Sequence, residues 1–202
     1  ATFMVSGGSS PSPLYQRLSG VDLDWASVDV ALVDERWVNP DHAGSNEALV
    51  KKTLLQNFAQ AASFTPMKNE QVSVAQGLSE CEQHYQRLRA PFDLVILGMG
   101  PDGHTASLFP EAEGLDRALE LEGKNICAAI TARKSAVTGE LVERMTLSLY
   151  GLCQSKRLCL LLLGDDKLNV YRRIVANPNA HTSPVSAILM QTSVPVSVYW
   201  AP

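Results

Sequence analysis

The sequence predicts an α/β domain built on a mostly parallel β-sheet, and three observations predict it. Apolar, β-rich runs recur along the whole chain, segments with helical spacing of apolar residues lie between them, and several of the runs lack alternation. Strands buried on both faces of a parallel sheet have that last property, whereas strands with one wet face alternate apolar and polar residues. Helices between strands supply the crossovers that parallel pairing requires.

The runs are "TFMVSGG" (2–8), "VDVALVDERWV" (28–38), "FDLVILGMG" (92–100), "ICAAITA" (126–132), "RMTLSLYGL" (144–152), "RLCLLLLG" (157–164) and "VPVSVYW" (194–200). "MTLSLYG" does alternate, with Met145, Leu147 and Leu149 on one face, and is expected near a sheet edge. Helices are expected after Ser45, where Leu49, Val50, Leu54 and Phe58 share a face, and after Asp165, where Leu168, Tyr171, Ile174 and Val175 do. Residues 79–89 form a more polar candidate, and 183–190 open with Ser183 as N-cap and Pro184 at the first helical position. No repeat or linker divides the chain, so residues 1–202 are expected to form one α/β domain. The chain opens on Ala1 and enters a strand at once, from which a short further N-terminal segment is expected.

A hydrophobic fraction of 46% over 202 residues supports one substantial core and excludes a disordered chain. The formal net charge of −4 weighs against a nucleic-acid partner, which calls for a basic patch. The longest apolar run, "LCLLLLG", is too short to span a bilayer, and neither a signal peptide nor a membrane partner is expected. Cys81, Cys127, Cys153 and Cys159 show neither CxxC nor metal-ligand spacing and read as reduced core thiols, which points to the cytoplasm.

Three motifs fall at the carboxyl ends of expected strands, where open parallel sheets bind ligands. "VSGGSSPSPLY" (5–15) is a strand, a turn and a helix opened by Pro11, Ser12 and Pro13. Gly7 and Gly8 let backbone N–H groups approach an anion, Ser9 and Ser10 add hydroxyl donors, and the helix start adds partial positive charge, which suits a phosphate. Taken alone, the segment is equally a plain tight turn. "DERWVNPDHAGSN" (34–46) crowds Asp34, Glu35, Arg36, Asp41 and His42 into one loop. Arg36 is suited to clamp a phosphate or carboxylate, and Asp34 to bind sugar hydroxyls or orient a neighbour; mutual pairing in a solvated loop is the other reading.

"GMGPDGHTASLFP" (98–110) is the sharpest signal. Gly98 and Gly100 permit a tight strand exit, and Gly103 lets the backbone approach a ligand between Asp102 and His104. His104 is expected at a helix start, where a neutral imidazole is favoured and can act as a general base. "GDDK" (164–167) places Lys167 in the first turn of a helix, where its charge opposes the helix dipole and a bound phosphate would offset the cost. Arg144, ahead of "MTLSL", is a weaker candidate and equally a solvated strand-end arginine. No Gly-x-Ser-x-Gly elbow supports a serine nucleophile, and Ser107 reads as packing or capping.

"SGGSSP", "DERWVNPDHAGSN" and "GMGPDGHTASLFP", in this order, with "RMTLSL" and "GDDK" after them, resemble the glucosamine-6-phosphate isomerase/6-phosphogluconolactonase family from about Val5 to Trp200. Members usually carry a further N-terminal segment. The resemblance implies a Rossmann-like, mostly parallel sheet and a catalytic domain acting on a sugar phosphate. Within the family, deaminases read like "IAFNEP" after the histidine, with a working Glu, where this chain has "TASLFP" and Phe109; they have Tyr where this chain has Arg36. Both differences favour the lactonase branch. A deaminase and a non-catalytic sugar-phosphate sensor are the alternatives.

The lactonase resemblance implies hydrolysis of 6-phospho-D-glucono-1,5-lactone, the second step of the oxidative pentose phosphate pathway. His104 is then the expected general base on water, with Asp102 orienting it or the substrate. Gly7, Gly8, Ser9, Ser10, Asp34, Arg36, Arg144 and Lys167 are the expected substrate and phosphate ligands. Oxyanion donors are expected among the backbone N–H groups of Gly100–Gly103. No metal or organic cofactor is implied, the one partner being the small-molecule lactone, and the protein is expected to be a monomer or small homo-oligomer.

Overall fold

The strongest apolar runs become the strands of one parallel sheet, because Met4, Val5, Val30, Ala31, Leu32 and Val95 are sealed from solvent on both of its faces. In the computed structural model, which describes residues 1–202, these strands are β1 (Thr2–Val5), β2 (Asp29–Leu32), β4 (Ser63–Thr65), β5 (Leu94–Gly98), β8 (Leu158–Leu163) and β9 (Val196–Ala201). They stand in the order β4-β2-β1-β5-β8-β9 and every neighbouring pair is parallel. The chain therefore builds outward from β1 to β2 and β4, then returns to the other side of β1 to lay down β5, β8 and β9. The gap between the ends of β1 and β5 is the point where the winding reverses, the crevice such sheets use for ligands.

A second sheet of three antiparallel strands packs beside the first: β3 (Asp34–Arg36), β7 (Glu143–Leu147) and β6 (Cys127–Thr131), in the order β3-β7-β6. The run 28–38 is therefore two strands and not the single one its composition predicts. The chain leaves the large sheet at Val33, whose N–H still reaches the Val5 carbonyl (2.9 Å) while its carbonyl accepts from Leu147 N–H (2.8 Å). Nor is the alternating run at 144–152 an edge. β7 is the centre of the small sheet, with Met145 and Leu147 in the core and Arg144 and Thr146 buried on the opposite face. Of its polar positions Arg144 lines the crevice and Thr146 is fully buried, so neither meets bulk water, and the alternation reads as an edge from sequence.

Helices α1 (Ser12–Ser19) and α2 (Asn46–Thr53) pack on each other, α3 (Val74–Gln86) lies against β6 and β7, and α6 (Asp165–Ala176) against β8 and α7 (Val185–Met190). Two short helices, α4 (Leu115–Ala118) and α5 (Leu149–Cys153), flank the small sheet. α2 is shorter than its apolar pattern suggests: it ends at Thr53, and Phe58 falls beyond it, exposed. α3 starts earlier than the polar candidate at 79–89, at a capping box between Ser73 and Gln76. Ahead of α7, Pro184 takes the cap position and the Ser183 hydroxyl caps nothing, since the residue before a helix-opening proline stands one place too far out. No helix is long and apolar enough to cross a membrane.

Candidate active site

Four consecutive strands of the large sheet, β2-β1-β5-β8, send their C-terminal loops into one cleft of about 260 Å³. The cleft brings together Gly7, Gly8, Ser9, Ser10, Asp34, Arg36, His104, Arg144 and Lys167. Of the expected catalytic and ligand residues, only Asp102 stands outside the lining, hydrogen-bonded to His104; Glu35, Asp41, His42 and Gly103, also singled out by sequence, do not line it.

The loop after β1 is open to a guest. None of the amides of Gly7, Gly8, Ser9 and Ser10 is taken up by a backbone hydrogen bond, and Gly8 adopts φ +97°, a conformation glycine enters without strain. The loop is braced from below by the Ser12 hydroxyl donating to the Gly8 carbonyl (2.8 Å) and by Tyr15 Oη donating to the Ser6 carbonyl (2.9 Å). Across the cleft, Lys167 in the first turn of α6 donates Nζ to Ser10 Oγ (3.0 Å). Burial holds its ammonium below the ordinary lysine value.

Arg36 and Arg144 face each other in register on β3 and β7. Neither they nor Lys167 lies within ion-pair distance of a carboxylate. Burial first, and the Arg36 charge second, lower the Arg144 guanidinium to about 10. Its Nε and one terminal nitrogen donate to the Leu141 and Thr138 carbonyls (2.7 and 3.2 Å), so the side chain is held in place and not solvated, as a free strand-end arginine would be. Three cations without an ion-pair partner, beside free amides, suit a multiply charged anion.

On the facing wall, His104 Nδ1 and Asp102 Oδ1 are 2.6 Å apart, and the His104 amide donates to the same oxygen (3.1 Å). Burial raises the Asp102 carboxyl, but the hydrogen bond and charge of His104 outweigh it, and the net shift is downward. An ionised Asp102 only accepts, so Nδ1 is the donor of this bond, and in the neutral ring Nε2 carries the lone pair. The Phe109 ring stacks on the imidazole, with centroids 4.2 Å apart, and lies under the Arg144 guanidinium (5.3 Å).

Two expectations for this segment are corrected. No helix begins at His104; residues 101–110 form turns with one bridge between Thr105 and Leu108, so no helix dipole acts on the imidazole. Nor are the Gly100 and Gly103 amides free oxyanion donors. Gly100 N–H donates to the His104 carbonyl (2.9 Å) and Gly103 N–H to the Gly100 carbonyl (3.0 Å), closing the turn that presents the histidine.

Sequence patterns missed other residues. Asn46, quoted only as the last residue of its motif, lines the cleft and bonds to both Asp34 and Arg36. Ser107, read as packing, donates its hydroxyl to Asp34 Oδ2 (2.7 Å). Ser6 carries a buried hydroxyl on the cleft wall with no hydrogen-bond partner. Glu35, in contrast, faces away from the cleft. Its carboxylate accepts from the backbone of Arg36, Asn46 and Glu47 and from Ser45 Oγ, tying the loop to the start of α2.

The model of the family described as glucosamine-6-phosphate isomerases/6-phosphogluconolactonase matches residues 1–200. The chain belongs to that family. It is 36% identical to the 6-phosphogluconolactonase of Pseudomonas aeruginosa over 202 residues, all of this chain and 82% of that one. A 6-phosphogluconolactonase structure from Shewanella baltica superimposes with a TM-score of 0.94 at 39% identity, covering all of this chain and 84% of that one. A monomeric glucosamine-6-phosphate deaminase shares the family fold with a TM-score of 0.78 at 17% identity, covering 98% of this chain and 85% of that one. The residue stacked on His104 in this chain is Phe109, which offers no ionisable group.

Proposed function

We propose that the chain is a hydrolase that opens 6-phospho-D-glucono-1,5-lactone with water to give 6-phospho-D-gluconate. The observation that carries this reading is the Asp102–His104 pair, set beside a cleft that also holds three cations without ion-pair partners and a loop of free amides. The phosphate is gripped by the Gly7–Ser10 loop, Arg36, Arg144 and Lys167, which fixes the remote end of the lactone and orients C1 toward His104. His104 Nε2 takes a proton from water as the water oxygen bonds to C1. Asp102 holds the imidazolium that forms and keeps the ring in the tautomer with Nε2 free.

The tetrahedral intermediate then breaks its bond from C1 to the ring oxygen, and His104 returns the proton to that oxygen as it leaves. The product is the open-chain acid, which ionises. Asp34, held by Ser107 and Asn46, binds substrate hydroxyls in this reading. Phe109 gives the imidazole an apolar backing and supplies no carboxylate of the kind sugar-ring opening before deamination would need. The four unpaired thiols suit a reducing compartment such as the cytoplasm.

NMR observation of lactone loss tests the reading, set beside ammonia release from glucosamine 6-phosphate. Lactone loss well above the spontaneous rate, with no ammonia, is expected. Ammonia release without lactone hydrolysis would reverse the assignment within the family.

A further inference from the structure

Asn46 sits where three parts of the cleft meet. Its Nδ2 donates to the Asp34 carbonyl (2.8 Å) and to Asp34 Oδ1 (3.3 Å), and its Oδ1 accepts from the Arg36 guanidinium (2.5 Å). These partners leave one orientation of the amide, since arginine only donates and the Asp34 backbone carbonyl only accepts. The same side chain presses on the anion-binding loop: a Cβ on Gly7 would fall 1.9 Å from Asn46 Oδ1 and 2.3 Å from its Cγ. Gly7 is a glycine because this amide occupies the space of its missing side chain.

The chemistry of an amide here differs from that of an acid. A carboxylate could hold Arg36 but would neutralise it and repel an incoming phosphate, and it could not donate to Asp34. An amide holds the guanidinium through a neutral acceptor and leaves its charge for the ligand.

We propose that Asn46 is a positioning residue that locks Arg36 and the Gly7–Ser10 loop into one phosphate-binding arrangement. The idea rests on the proposed function only for the identity of the molecule that carries the phosphate.

The test compares Asn46→Ala, Asn46→Asp and Gly7→Ala with the wild-type protein. It uses calorimetric titration with inorganic phosphate, lactone kinetics and thermal melting. Asn46→Ala should weaken phosphate binding and raise KM by about tenfold or more, the worth of a hydrogen bond to a charged group, with kcat within a few-fold. Melting should move little, because Ser45 still caps α2 and the residue 46 amide still reaches Glu35. Asn46→Asp, though nearly isosteric, should bind phosphate more weakly than Asn46→Ala, the reverse of the order a packing role would give. Gly7→Ala should weaken phosphate binding with Asn46 itself intact.

Wild-type phosphate affinity in Asn46→Ala, or tighter binding by Asn46→Asp than by Asn46→Ala, would overturn the proposal. So would a collapse of the melting temperature that accounts for the lost binding. The phosphate titration decides the matter even with a wild-type protein that hydrolyses no lactone, a result that would overturn the functional reading alone.

Discussion

Arg36 and Arg144 stand directly opposite each other on β3 and β7, two guanidinium groups on one face of a sheet with no carboxylate at ion-pair distance from either. Like charges directly across a strand pair are destabilising, so the arrangement costs stability unless an anion comes between them. Replacing either arginine by alanine should raise KM for the lactone by about 10- to 100-fold, from the loss of charge-assisted hydrogen bonds, while kcat changes less. Steady-state kinetics on the two variants checks this; a fall in kcat at constant KM would place the arginines at the reacting carbon instead of the phosphate.

The cleft's cations also predict a pH dependence of binding. Burial, then Arg36, lower Arg144 to about 10, and burial lowers Lys167 from the ordinary lysine value. In the proposed phosphate site both groups attract the ligand only while protonated, that is, below their pKa values. Affinity for 6-phosphogluconate, which is stable where the lactone is not, should therefore fall as pH rises toward and through about 10. Titration calorimetry across that range reads the effect, and an affinity that stays level past it would remove both groups from the phosphate site.

Gly100 owes its identity to the Asp102–His104 pair. A Cβ there would lie 2.1 Å from His104 Nδ1 and Cε1 and 2.7 Å from Asp102 Oδ1, while its backbone needs no left-handed conformation. Gly100→Ala should displace the imidazole and lower kcat about 100-fold or more, the scale of lost acid–base catalysis, with phosphate affinity kept. Parallel measurement of kcat and phosphate binding separates this from general damage, which would lower both.

The sequence announces the loops better than the framework behind them. Gly7–Ser10, Asp34–Arg36, Asp102–His104 and Lys167 were legible because glycines and polar residues interrupt otherwise unbroken apolar strands, and the parallel sheet brings those interruptions to one edge. The break at Val33 was not legible, since the residues on both sides are apolar or buried and only the pairing of Asp34–Arg36 with β7 turns the chain. The helix expected at His104 is absent because Gly103, at φ +80°, and the Gly100–His104 hydrogen bond close a turn there. Asn46 was silent because its partners lie 10 and 12 residues away, beyond any local pattern.

The measurement that tests the account most directly is acid release from lactone generated in situ from glucose 6-phosphate. It is made at low temperature, where the spontaneous background is slow, for the wild type and His104→Ala. The wild type should accelerate hydrolysis, and the variant should lose roughly 10²- to 10⁴-fold in kcat, the usual worth of a positioned acid–base group, with KM within a few-fold. An unchanged kcat in His104→Ala would contradict the assignment of His104 as the base and leave the Asp102–His104 pair without its proposed role.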